Sequence, residues 1–153
     1  MMLVLGVYTL FSFLYVLFLG RVRKAWWSLR QANVEQPASV SFPFVTVIVP
    51  VRNEAQHLPD LLNDLLAQDY PDDRWELIVV NDGSADGSAA IAADFFHSHP
   101  NRGGLLNLPD REGGSKKQAV AMAIANAKGE WILTTDGDCR VGPSWLTTMA
   151  QGM

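Results

Sequence analysis

Cysteine is nearly absent from this sequence. The one copy, Cys139, excludes an internal disulfide framework and fits a reducing compartment. There is no internal repeat and no low-complexity tract, which excludes a solenoid or a compositionally biased tail. An excess of positive charge is lacking too. Lys and Arg number 12 against 16 Asp and Glu, and a net charge of −4 gives no basis for nucleic-acid binding. His57, His97 and His99 lack metal-ligand spacing and read as surface residues. Charge of either sign is missing from residues 1–19.

Those uncharged residues are dominated by Leu, Val, Phe, Tyr and Met. About 20 apolar helical residues span a hydrocarbon core, so residues 1–20 are expected to form a transmembrane helix. A cleaved signal peptide would carry its positive charge before the apolar run. Here Arg21, Arg23, Lys24 and Arg30 follow it, opposed only by Glu35. The positive-inside rule then predicts a single-pass protein of the cell membrane, with the bilayer as a partner and the soluble part cytoplasmic. Trp26 and Trp27 fit an interfacial belt. A buried helix of a soluble core is the rival reading, and charge on one flank only speaks against it. Residues 21–43 read as a basic juxtamembrane segment and a linker bearing Pro37 and Pro43. Residues 44–153 are expected to be the globular part.

In that part, residues 45–49 are a β-branched run stopped by Pro50, and residues 75–80 repeat its character. Both read as strands buried on two faces, as in a parallel sheet. Leu58, Leu61, Leu62, Leu65 and Leu66 recur at helical spacing, with Asn53 available as a cap. Asp86 or Ser88 can cap a second helix carrying Ile91, Phe95 and Phe96. A weaker strand over residues 103–108 precedes a polar loop. An alanine-rich helix over residues 116–128 follows, ended by Gly129. The run 131–134 reads as a buried strand, and Pro143 fits the first turn of a last helix. Alternating strands and helices predict an α/β fold with a mostly parallel sheet and flanking helices.

The last strand runs into Asp136-Gly137-Asp138. Two carboxylates so close repel each other unless a cation lies between them. Hard oxygen ligands suit Mg²⁺ or Mn²⁺ shared with a substrate phosphate. A solvated Asp-Gly turn is the plainer reading. On the predicted topology, loops bearing Arg52, Asn53 and Glu54, then Asp82, then Asp136 and Asp138 share one sheet edge. The start of the fourth helix, with Lys116 and Lys117, offers a phosphate seat near that edge.

The blocks Val47-Ile48-Val49-Pro50-Val51-Arg52-Asn53-Glu54, Val79-Val80-Asn81-Asp82-Gly83-Ser84 and Thr135-Asp136-Gly137-Asp138 resemble the signatures of family 2 glycosyltransferases, in the family's order and spacing. The resemblance implies a nucleotide-diphospho-sugar transferase-like (A-type) fold. It implies that Pro50, Arg52 and Glu54 line the nucleotide and that Asp82 recognises its base, usually uracil. It further implies that Asp136 and Asp138 bind the diphosphate through Mn²⁺ or Mg²⁺. Gly114-Ser115-Lys116-Lys117 resembles the block that approaches the diphosphate, with either lysine available. The implied partners are a nucleotide diphosphate sugar, usually UDP-linked, and a lipid or polysaccharide acceptor. The implied reaction is metal-assisted transfer with inversion. The family's general base is expected beyond residue 153, so the chain reads as a donor-binding half, inactive alone.

Two other enzyme classes fit less well. A nucleotidyltransferase would show a glycine-rich basic loop straight after the first strand. An aspartate-nucleophile phosphatase would carry its Asp-x-Asp after the first strand, not the last. The remaining alternative is a catalytically inactive, membrane-anchored nucleotide-binding or interaction protein.

Overall fold

The computed structural model describes residues 2–32, 42–108 and 116–151, with side chains of the first stretch described at residues 6, 8 and 11–27. The chain divides into two compact units, Met1–Ser39 and Val40–Met153.

The first unit holds helix α1 (Met2–Ala32). Among the described residues, no helix is long and apolar enough to cross a membrane. The expected transmembrane helix, and with it the single-pass membrane location, is therefore corrected. Helix α1 does not break at the charges but carries Arg21, Arg23 and Lys24 within it. Residues 33–41 of the expected linker lie outside the described residues.

The second unit is an α/β domain. Strands β1 (Val45–Val51), β2 (Trp75–Asn81), β3 (Gly103–Asn107) and β4 (Trp131–Thr134) form one four-stranded sheet in the order β3-β2-β1-β4. Every pairing is parallel, with Val45 opposite both Trp75 and Trp131. Helices α2 (Leu58–Leu66), α3 (Ser88–Ser98), α4 (Lys116–Asn126) and α5 (Trp145–Gln151) connect and flank the strands. The chain steps from β1 outward to β3, then returns to place β4 on the other side of β1. The crevice at such a reversal, outside the carboxyl ends of the strands, is where open α/β sheets bind ligands.

Both central strands are buried on two faces, which is why they read as continuous apolar runs. One face packs on Leu58, Leu61, Leu62 and Leu65 of α2, Ala92 of α3 and Leu146 of α5. The other packs on Ala119 and Ala123 of α4, whose small side chains admit close approach. Each buried leucine contributes roughly 1.5–3 kcal/mol.

Several local expectations are corrected. Strand β1 does not stop at Pro50 but continues to Val51. Phe44 and Ile48 accept hydrogen bonds from the β4 side, whereas Val51 accepts from Asp82 on the β2 side. This alternation turns Pro50 toward β4, past the last pair of Ile48 with Thr134. Its missing N–H ends the β1–β4 ladder without breaking the strand. Strand β4 is an edge strand with only Leu133 buried, not a fully buried one. Helix α4 ends at Asn126, so Gly129 is no C-cap. Gly129 instead lies against Thr46, where an added Cβ would stand 2.4 Å from the Thr46 nitrogen. Its N–H donates to Thr46 Oγ1. Beside it the buried Glu76 carboxylate accepts from Thr46 Oγ1 at 2.8 Å and from the Lys128 N–H at 2.7 Å. Pro143 precedes α5, which begins at Trp145.

Candidate functional site

The loops leaving β1 and β2 are fastened together. Asn53 adopts a left-handed backbone (φ 58°), a conformation that Asn tolerates better than most residues. Its side chain does not cap α2, whose N-cap is His57. Asn53 Oδ1 instead accepts from the Ala85 N–H at 2.8 Å, and the Asn53 N–H donates to Ser84 Oγ at 3.1 Å. The Glu54 N–H donates to Ser88 Oγ at 2.8 Å, and the Ala55 N–H to Asp86 Oδ2 at 2.9 Å. The N-cap position of α3 is Gly87, but Asp86 Oδ1 accepts from the Ser88 N–H at 3.0 Å, so Asp86 satisfies the helix start and cross-links the loops at once, while Ser88 serves as a cross-link. The hydroxyl of Ser88 and the N–H of Ala55 hold the Asp86 carboxyl below the usual carboxylate range.

This fastening fixes Asp82. Its N–H donates to the Val51 carbonyl at 2.9 Å, and its largely buried carboxylate faces Arg52 Nη1 at 3.8 Å. Across the crevice, the Thr135 N–H donates to the Ile48 carbonyl, and the chain turns away through Asp136, Gly137 and Asp138. Gly137 is buried, and a Cβ there would lie 3.0 Å from Val51 Cγ1 and 3.1 Å from Glu54 Cγ. The lack of a side chain thus seats this turn against the β1 loop. Asp136 and Asp138 are exposed. Lys116, the first residue of α4, pairs with the Asp136 carboxylate.

A cavity of about 320 Å³ joins these groups. Pro50, Arg52, Glu54, Asp82, Lys116, Asp136 and Asp138 all line it, with Val51 and Gly137. Lys117, singled out with Lys116, is exposed and is not in the lining. Gly114 and Ser115 lie outside the described residues. Sequence reasoning missed Val51 and Gly137, although both sit between residues it had picked. It also missed the Arg140 fork onto Asp64, whose partners are 76 positions apart.

Four carboxylates against two cations leave this lining with an excess of negative charge. An anionic ligand meets repulsion there unless a cation accompanies it. Among the described residues, no group of three His, Cys, Asp or Glu side chains is arranged to hold a metal ion. The hard oxygens of Asp136 and Asp138 suit a Mg²⁺-type ion that completes its shell with ligand phosphates and water.

Fold and cavity together define an α/β domain with a ligand crevice at the switch point of a parallel sheet. Residues 46–153 match the profile of Glycosyl transferase family 2, and the chain belongs to that family. It is 37% identical over 106 residues to glycosyltransferase AglE of Haloferax volcanii, covering 69% of this chain and 34% of that one. It is 35% identical over 101 residues to the dolichyl-phosphate beta-glucosyltransferase of Drosophila melanogaster, covering 61% and 30%. Among solved structures, it is similar to the mannosyltransferase PcManGT of Pyrobaculum calidifontis in complex with GDP-Man and Mn²⁺. That match has a TM-score of 0.58 at 30% identity and covers 76% of this chain and 35% of that one. It is also similar to S. aureus TarS 1–349 in complex with UDP-GlcNAc, with a TM-score of 0.59 at 30% identity, covering 69% and 30%. The chain spans about a third of the length of the curated relatives it matches.

Proposed function

We propose that the crevice binds a nucleotide diphosphate sugar, UDP-linked, as the donor for transfer to a lipid or polysaccharide acceptor with inversion. The observation that carries this reading is the convergence of three strand-end loops and the start of α4 on one cavity. Asp82, buried and held by the β1 loop, contacts the base, while Pro50, Arg52 and Glu54 line the nucleoside. Asp136 and Asp138 hold Mn²⁺ or Mg²⁺, and Lys116 turns from Asp136 toward the diphosphate. The divalent ion supplies Lewis-acid stabilisation of the departing diphosphate. The protein's own part is orientation. The cross-linked loops hold the nucleotide end still, so that the anomeric carbon is presented in one direction. These residues serve the leaving group, and none of them is assigned the acceptor's proton. The complexes of PcManGT with GDP-Man and Mn²⁺ and of TarS with UDP-GlcNAc support a nucleotide-sugar ligand.

Calorimetry of UDP with and without Mn²⁺ tests the reading, with GDP as the comparison. UDP binding that strengthens with Mn²⁺ and disappears in Asp136→Ala/Asp138→Ala supports it. Preference for GDP overturns the choice of base, and absence of both bindings overturns the site.

A further inference from the structure

We infer that Asp64, acting through Arg140, is a positioning residue for the Asp136–Asp138 turn, an inference that rests on the donor-site reading. Arg140 lies two residues beyond Asp138. Its guanidinium grips Asp64 with two prongs, Nε to Oδ2 at 2.6 Å and Nη2 to Oδ1 at 2.9 Å. A third contact runs from Nη1 to Asp60 Oδ2 at 3.2 Å, and the Val141 N–H donates to Asp64 Oδ2 at 3.1 Å. Asp60 and Asp64 are four residues apart, so both reach the same side of α2. The opposite side of α2 is the leucine row buried in the core, which makes the helix a fixed support.

The mooring continues along the same helix end. Gln68 donates to the Gly142 carbonyl at 2.7 Å and accepts from the Leu146 N–H at 2.9 Å. Asp69 accepts from Ser144 Oγ at 2.7 Å and Thr147 Oγ1 at 2.6 Å. On its other side, the turn is held by the Thr135–Ile48 bond and by Gly137 against Val51 and Glu54. Asp136 and Asp138 therefore ride on a short turn fixed at both ends. An ion pair as exposed as the Arg140 head stabilises a fold little. A planar fork, however, fixes direction as well as distance. Direction is what two mutually repelling carboxylates need if they are to face one cation.

UDP calorimetry on the full chain, with zero and with saturating Mn²⁺, tests this. In Asp64→Asn and in Arg140→Ala, Mn²⁺-dependent affinity falls about tenfold, the low end for loss of a group that orients a metal ligand. Metal-free UDP affinity stays at the wild-type value. The double variant falls by less than the product of the two single ones, because the shared Asp64–Arg140 fork is lost only once, while the Asp60 and Val141 contacts belong to one partner each. Arg140→Lys keeps the charge but not the fork, and its affinity falls between wild type and Arg140→Ala. Should Asp64→Asn fail to fold, the two Arg140 variants carry the test, since that side chain is 64% exposed. Unchanged Mn²⁺ dependence in Arg140→Ala overturns the inference. So does a multiplicative double variant, or an equal loss with and without Mn²⁺. In those cases Mn²⁺-dependent binding by the wild type leaves the donor site standing. A wild type without such binding removes both.

Discussion

Lys116 places its ammonium on the Asp136 carboxylate, with both side chains more than half exposed at 61% and 54%. Such a pair adds little to stability but sets the charge at the mouth of the cavity. Lys116→Ala is expected to shift the melting temperature by less than about 4 °C. It should weaken UDP binding in Mn²⁺ by at least about tenfold, the loss of one charge-assisted contact. Paired thermal melts and calorimetry check this.

Asn53 tests the join between the first two loops. Asn53→Ala loses the bond from the Ala85 N–H and must hold φ 58° without the tolerance of Asn. The expected cost is about 2 kcal/mol, from a hydrogen bond and left-handed strain together. Asn53→Gly loses the bond but not the conformation, and should cost about 1 kcal/mol. Urea denaturation of both variants gives the order.

Two glycines separate binding from stability. At Gly137 an added methyl meets side chains, Val51 and Glu54, at 3.0 to 3.3 Å. These can yield, but they yield into the cavity that they line. Gly137→Ala should therefore cost about 1 kcal/mol of stability while weakening nucleotide binding clearly. At Gly129 the methyl meets backbone, 2.4 Å from the Thr46 nitrogen and 2.7 Å from the Trp131 oxygen. Gly129→Ala should cost about 3 kcal/mol or more. Denaturation and UDP titration of the two variants distinguish the cases.

Asp86 predicts a pH dependence. Its carboxyl lies below the ordinary value of 3.8, chiefly through the Ser88 hydroxyl and then the Ala55 N–H. A folded-state value below the unfolded one gives stability that is present above the unfolded value and lost as pH falls. Wild type should therefore melt higher than Asp86→Asn at neutral pH. The gap should begin to close only as pH falls below about 4 and shrink further as the folded-state carboxyl takes up its proton. Melting curves from pH 7 downward measure it.

The strands were legible because β1 and β2 are buried on both faces and so leave unbroken apolar runs. The leucine row of α2 was legible for the same reason, since Leu58, Leu61, Leu62 and Leu65 all enter the core. Leu66, placed in that row by spacing, is only half-buried. What stayed hidden was mostly long-range. Asn53 read as a helix cap because a capping residue and a cross-linking residue look alike until the partner loop is known, and the reading of Asp86 as a cap left out its second bond, to the Ala55 N–H. Gly129 read as a C-cap because its true neighbour, Thr46, lies 83 positions away. Pro50 read as a stop because no sequence pattern tells which side of a strand has lost its neighbour. Seven of the nine residues that line the cavity were legible through motif spacing. The exclusion of Lys117 needed the helix start itself.

The sheet has two ends that answer to different pressures. At one, Thr46, Glu76, Lys128 and Gly129 interlock through backbone and a buried carboxylate. At the other, exposed side chains hang from turns that the fold holds in place whether or not they carry the right groups. A deep mutational scan scored on protein abundance would register the first end sharply and pass over Asp136, Asp138 and Lys116 almost in silence. Scored on ligand occupancy, the same library would outline both ends, and the difference between the two maps would draw the site. The chain is in that sense two overlapping codes, one for persistence and one for use, divided along the length of its strands.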